Sequence, residues 1–216
     1  MQNNIKYLNN LDRYDVIIWD FDGVIIDSSK IRINAFRECL KEYPPEKVEE
    51  LIIYHKKNDG LSRYVKIDYF FSNILEEKFD NKLRDDLLKK YGMICSSQLN
   101  DKSLIIDDSL KFIINYQNNK IFHIASGSDN DELNKLCVSL GISKLFKTIN
   151  GSPETKINIV KDIIEDYKYN RRACCLIGDS INDYDAAMIN GISFFGYNNI
   201  ELLKLKNSKY ISNFNL

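Results

Sequence analysis

The chain has 216 residues, 44% of them apolar and 28% charged, enough to bury a full core and long enough for one domain plus an insert. Its 30 basic and 31 acidic side chains leave a formal net charge of -1, which exerts no long-range pull on nucleic acid or an anionic membrane. No apolar run approaches the ~20 residues that a bilayer-crossing helix needs, and residues 1–15 lack the apolar centre of a secretion signal. A cytoplasmic protein with no nucleic-acid and no membrane partner is expected, as a monomer or weak homodimer. The five cysteines, Cys39, Cys95, Cys137, Cys174 and Cys175, have no CxxC spacing, so reduced core residues are expected rather than a disulfide framework or a zinc site.

In chain order, a polar lead-in over residues 1–13 is followed by the unbroken apolar run Val16, Ile17, Ile18, Trp19, which reads as a central parallel strand buried on both faces. It ends in Asp20 and Asp22, with Gly23 free to turn the backbone. Two carboxylates at the end of a buried strand cost desolvation energy unless a cation or donors compensate them, which suggests a metal. Residues 29–100 then read as about four helices, with Ile31, Ala35, Phe36 and Leu40 on one face, Val48, Leu51 and Ile52 on the next, and Val65, Tyr69, Phe70 and Ile74 on a third. A further helix is expected over 81–91, and Pro44-Pro45 and Asn58-Asp59-Gly60 mark turns.

Beyond residue 104 strands and helices alternate. Helices are expected over 108–116, 129–140 (closed by Gly141), 157–167 and 183–190 (closed by Gly191), and strands over 121–125, 173–177 and 193–195. The rhythm predicts an α/β fold, a doubly wound and mostly parallel sheet covered on both sides. Residues 1–28 and 105–216 would form that core, and 29–104 a helical domain inserted after the first strand.

Three later segments place polar residues where they could join the first. Ser126-Gly127-Ser128 follows a strand and leads into a helix, whose N–H groups would suit a phosphate. Lys156 follows the turn 151–155 and could neutralise a phosphate oxygen and a carboxylate, although a lone lysine is more often a solvated surface charge. The apolar strand over 173–177 delivers Gly178-Asp179-Ser180 with Asp183, a segment that also reads as an ordinary helix cap. His55 and His123 are too separated for a histidine metal site and read as structural.

Together, Asp20-Phe21-Asp22-Gly23-Val24, Ser126, Lys156, and Gly178-Asp179-Ser180 with Asp183 resemble the four motifs of the haloacid dehalogenase superfamily, in the same order. The resemblance covers essentially the whole chain, because 29–104 falls where members with a small helical cap carry it, as in phosphoglycolate phosphatases and β-phosphoglucomutases. It implies a Rossmann-like core and a Mg2+-dependent phosphatase acting on a small phosphorylated metabolite through an aspartyl-phosphate. Asp20 would be the nucleophile and Asp22 the acid and base. Mg2+ would lie between Asp20 and Asp179, with the Asp22 carbonyl and Asp183 completing or supporting its oxygen shell. Ser126, Lys156 and the N–H groups of Phe21, Asp22 and Gly127 would hold the transferring group.

Within that family, Asp22 argues against dehalogenation, since a departing halide needs no proton. The stretch Asn58-Asp59-Gly60-Leu61-Ser62-Arg63 resembles a substrate-specificity loop, so Arg63 is expected to meet the part of the substrate that is not transferred. A sugar phosphomutase is the alternative, but that group carries Glu-Asp at Gly178-Asp179 and a histidine near Arg32. A phosphonate hydrolase would need a cap lysine, for which Lys56, Lys57 and Lys66 are the candidates. A protein that binds phosphometabolites without turnover is the alternative outside catalysis.

Overall fold

The computed structural model describes residues 11–214, so most of the expected lead-in lies outside the described residues. Six strands, β1 (Val16–Trp19), β2 (Ile121–Asp129), β3 (Thr148–Ser152), β4 (Cys174–Gly178), β5 (Ser193–Tyr197) and β6 (Lys209–Ile211), form one sheet in the order β3-β2-β1-β4-β5-β6. Every pairing is parallel. The α/β fold expected from the alternation is therefore the one observed.

β1 is central because each of its four residues is buried and pairs on both sides, with Val16 opposite Ile121 and Cys174 and Trp19 opposite Ile124 and Ile177. Alternation along the strand divides them between two cores. Ile17 and Trp19 enter the larger one, where Trp19 packs against Phe112, Phe122 and Phe214 at ring-centroid separations of 5.9, 6.0 and 5.3 Å. Val16 and Ile18 face Ile159, Ile163, Leu176, Ala187 and Phe194 on the other side of the sheet.

Between β1 and β2 the chain forms α1 (Ser29–Cys39), α2 (Pro45–Lys57), α3 (Arg63–Tyr69) and α4 (Asn81–Leu99). This helical insert joins the core through two adjacent crossings. Ile26 bridges Ile105, Asp27 N donates to Leu104 O at 2.7 Å, and Ile106 N donates to Ile25 O at 2.9 Å. A short π-helix over Phe70–Leu75, wider than an α-helix, follows α3 and brings both Phe70 and Phe71 into the core, each edge-on to Tyr43. α5 (Asp107–Tyr116) precedes β2, and the helices after it are α6 (Asn130–Leu140), α7 (Lys156–Asp166) and α8 (Ile181–Ile189). Side chains of α5 and α6 fill the larger core and those of α7 and α8 the smaller, so helices cover both faces.

Several boundaries differ from expectation. α4 runs on to Leu99, and β2 continues through Ser126-Gly127-Ser128 to Asp129, so α6 begins three residues beyond Gly127 and its N-terminus does not lie at Ser126. β3 and β6 were not anticipated, because Thr148–Ser152 and Lys209–Ile211 are short edge strands without an apolar run. All five cysteines are free and buried. Among the described residues no helix is long and apolar enough to cross a membrane.

His123 is a structural residue of β2. It is fully buried, with Nδ1 2.7 Å from Thr148 Oγ1 and Nε2 3.1 Å from the Tyr169 hydroxyl. Burial, and next the Lys147 charge, push its pKa down to about 4. The unfolded chain therefore takes up this proton near pH 6.5 while the folded chain resists until about 4, so stability from this site is lost as pH falls through that window. Relative to a His123→Gln variant, the wild type should lose about 2 kcal/mol of unfolding free energy between pH 7 and pH 5. Urea unfolding at the two pH values measures this.

Candidate active site

The parallel pairing of β1 with β4 places the residues that follow them side by side. Asp20 N donates to Ile177 O at 2.9 Å, so Asp20 emerges next to Gly178-Asp179 at the C-terminal edge of the sheet. Lys156, the first residue of α7, brings its ammonium 2.8 Å from Asp20 Oδ1 and also donates to Asp183 Oδ1. The other Asp183 oxygen accepts from Ser180 N at 3.0 Å and Ser180 Oγ at 2.6 Å, a capping box at the start of α8. Asp183 is thus both a helix cap and a member of the site. Lys156, for which a surface charge was the ordinary expectation, is 7% exposed.

Two glycines make this convergence possible. A Cβ on Gly23, whose φ is +75°, would stand 2.0 Å from Asp179 Oδ2, and one on Gly178 would stand 2.3 Å from Asp183. Oxygens of Asp20, Asp179 and Asp183 all lie within 4.8 Å of one another. Burial first, and then the Asp183 charge, push the Asp20 carboxyl up to about 8, while Lys156 opposes the shift. Burial and the charges of Asp20 and Asp183 likewise hold Asp179 well above the ordinary carboxylate range. Three clustered carboxylates share one ammonium, and the hard oxygen donors suit a divalent cation such as Mg2+.

Asp22 points into a different set of partners. Its Oδ1 accepts from Ser28 Oγ and, at 3.0 Å, from Arg32 Nε, while its Oδ2 accepts from Arg32 Nη2 at 3.1 Å and Ser128 Oγ at 2.6 Å. Burial acts to raise its pKa, but Arg32 and the hydroxyls of Ser128 and Ser28 more than offset it, leaving Asp22 below the ordinary carboxylate range. Ser28 and Arg32 lie one turn apart at the start of α1, the helical spacing that lets two side chains address one group. The sequence reading missed their pairing with Asp22, although that i, i+4 spacing was visible.

The insert closes directly on this edge. A Cβ on Gly127 would lie 2.4 Å from the Gly60 carbonyl oxygen, so the turn before α3 rests on the backbone beside Ser126. Ser126 is 1% exposed, and its Oγ accepts from Ser128 N at 3.1 Å. The Phe21 N–H, expected to face a phosphate, donates to Asp20 Oδ1 at 2.8 Å. A cavity of about 420 Å3 remains, lined on the core side by Asp20, Asp22, Ser126 and Asp179 and on the insert side by Arg32, His55, Arg63 and Lys66.

Arg63 lines that cavity, yet its fork is engaged by a carboxylate of the protein itself. Its Nη1 and Nη2 donate to the Glu132 oxygens at 2.6 and 2.9 Å, and Asp129 lies 3.6 Å away. Glu132 sits in the first turn of α6 and offers the flat pair of oxygens that a guanidinium fits best. Gly92 in α4 makes room, since a Cβ there would stand 2.1 Å from Glu132 Oε1.

The family model of the haloacid dehalogenase-like hydrolases matches residues 17–197. The chain belongs to that family. Among curated proteins none matches. Solved structures of these hydrolases share the fold across most of both chains. A β-phosphoglucomutase from Clostridium difficile, 20% identical, has a TM-score of 0.74 with 93% of this chain and 92% of that one covered. A predicted phosphoglycolate phosphatase from Haemophilus somnus, 14% identical, gives 0.68 with 93% and 88% covered. The magnesium-bound HAD-hydrolase YfnB from Bacillus subtilis, 18% identical, gives 0.63 with 86% and 87% covered.

The Arg63–Glu132 contact should tie insert to core. In a double-mutant cycle of Arg63→Ala and Glu132→Ala, followed by chemical unfolding, each single change should cost about 1 to 3 kcal/mol and the coupling should be about 1 kcal/mol or more. Additive losses would show that the two side chains do not stabilise one another.

Proposed function

We propose that this hydrolase is a Mg2+-dependent phosphatase, acting on a small phosphorylated metabolite such as a sugar phosphate or phospho-hydroxy acid through an aspartyl-phosphate at Asp20. The observation that carries the reading is the contact of Asp20 Oδ1 with the Lys156 ammonium at the floor of a covered cavity, beside two further carboxylates. Asp20 and Asp179, with the Asp22 carbonyl and with Asp183 in support, would hold Mg2+, whose charge would neutralise phosphoryl oxygens and the carboxylate cluster together. The magnesium bound to YfnB supports that cofactor.

In the first step an Asp20 oxygen attacks phosphorus and the ester P–O bond breaks, the leaving oxygen taking a proton from Asp22. In the second, water attacks the same phosphorus while giving a proton to Asp22, and the P–O bond to Asp20 breaks to release inorganic phosphate. Lys156, Ser126 Oγ and the N–H groups of Asp22 and Gly127 hold the equatorial oxygens, joined by the Phe21 N–H once it leaves Asp20 Oδ1, because phosphoryl transfer is mostly positioning and charge neutralisation. For these steps Asp22 has to turn from Arg32 toward the leaving oxygen and, once free of the guanidinium, take up a proton from solvent before the first step; the proton from the attacking water restores it in the second.

Hydrolysis is favoured over phosphomutase chemistry by Gly178 and Arg32, which stand where that group carries glutamate and histidine. The insert, none of whose residues belongs to the four motifs, covers the site, excludes water and selects the leaving group. A cytoplasmic protein working as a monomer or weak homodimer on a free metabolite fits this role.

The role of Asp22 is tested by leaving-group dependence. Asp22→Asn should lower kcat/KM for an alkyl phosphate by at least about 100-fold, and for an activated aryl phosphate, whose leaving oxygen needs no proton, by much less. Equal losses on both esters would remove Asp22 from the acid role. Release of no phosphate from any ester in Mg2+ would instead favour a binding protein.

A further inference from the structure

Three cations line the cavity, and two of them have carboxylate partners. Arg32 is paired with Asp22 and Arg63 with Glu132. The third, Lys66, is 3% exposed and donates to the Asp59 carbonyl oxygen at 2.9 Å, but among the described residues it forms no ion pair. The acidic side chain whose charge acts on it most strongly, Asp59, places Oδ1 3.5 Å from His55 Nδ1 instead. Burial pushes the Lys66 ammonium down to about 8, with Asp59 opposing the shift, so it remains protonated at neutral pH.

Two further groups on the same wall lack partners. Both ring nitrogens of His55, which is 2% exposed, and the buried Nε of Arg63 have no hydrogen-bond partner. Burial, reinforced by Lys66 and Arg32, pushes His55 down to about 3, so its ring is neutral and offers one donor and one acceptor. A buried ammonium without an ion pair, a buried imidazole without a hydrogen bond and an unpaired N–H on one cavity wall each carry a desolvation cost that the nearby Asp59 offsets only in part.

We infer that this wall is a subsite for a second oxyanion, with the Lys66 ammonium as its counter-charge, the neutral His55 ring as a hydrogen-bonding partner and the Nε–H of the Glu132-paired Arg63 guanidinium as a further donor. The part of the substrate that is not transferred then carries a carboxylate or a second phosphate, and Lys66 rather than the fork of Arg63 selects for it. The orientation, with the transferring phosphoryl group at Asp20 and the second anion at Lys66, rests on the phosphatase reading.

Equilibrium binding separates the two ideas, because it needs no turnover. Calorimetry on the full-length Asp20→Asn protein with Mg2+ would compare 2-phosphoglycolate with ethyl phosphate, and glucose 1,6-bisphosphate with glucose 6-phosphate. Each pair differs by one tail anion, a carboxylate in the first and a phosphate in the second, so the tighter pair identifies the source. At least one anionic-tailed ligand should bind about 30-fold or more tightly than its neutral-tailed partner, the scale of a buried charge pair, and Lys66→Gln should bring that ratio close to one. Should that variant not fold, Lys66→Met, which keeps the stem without the charge, serves in its place. No discrimination in either pair, or discrimination that survives loss of the Lys66 charge, would overturn the subsite. Borohydride trapping of an aldehyde on Lys66 would also overturn it, in favour of an amine nucleophile. Wild-type hydrolysis of an aryl phosphate, measured in parallel, reports on the phosphatase reading alone.

Discussion

The constraint on which the rest of the structure depends is the crowding of three carboxylates, the buried Asp20 and Asp183 and the half-buried Asp179, beside the ammonium of Lys156. Charges so placed are costly in a low-dielectric setting unless they are compensated. The raised pKa values of Asp20 and Asp179 express that cost, and a divalent cation is the most economical way to meet it. The architecture answers to this cluster. β1 and β4 must be adjacent and parallel to bring Asp20 and Asp179 together, α7 must begin at Lys156, and positions 23 and 178 must lack a side chain where the carboxylates approach.

The insert is bound to this edge by polar contacts as well as by its continuous apolar core. Arg32 of α1 holds Asp22 and Ser128, Arg63 of α3 holds Glu132, and the Tyr64 hydroxyl donates to Asp129 at 2.6 Å. Each contact joins a residue of the insert to a loop, strand end or helix end beside the site. The Asp22 contact has the most direct chemical consequence, because a carboxyl held ionised by a guanidinium cannot deliver a proton until it is released. In the mechanism proposed for this site, release of Asp22 from Arg32 therefore has to precede the protonation step.

Much of the fold was legible because the signals were long and periodic. The four-residue apolar run of β1, the apolar run of β4 and the amphipathic helices follow burial patterns that composition alone reveals. β3 and β6 were not legible, since an edge strand buries little and so needs little apolar character. The site divides in the same way. Asp20, Asp179, Asp183, Ser126 and Lys156 lie at ends of elements and could be located from the chain order, and the structure brings them to one sheet edge. The contact of Asp22 with Ser128, 106 positions away, and that of Arg63 with Glu132, 69 positions away, depend on how distant parts of the chain pack together, which no local pattern encodes. Arg63 shows the consequence: its type suited an anion, but Glu132 supplied one from within the chain.

The account stands on Asp20 as the atom donor to phosphorus, and one measurement addresses it directly. A single turnover in 18O-water, followed by proteolysis and mass spectrometry of the peptide spanning β1, reads where oxygen is exchanged. If water attacks phosphorus in an aspartyl-phosphate, the first turnover releases singly labelled phosphate and leaves the Asp20 carboxyl unlabelled, and rapid acid quench should recover that peptide with the mass of one phosphoryl group on Asp20. Turnover with no phosphoryl group on Asp20 at any quench time, or 18O entering its carboxyl, would contradict the account.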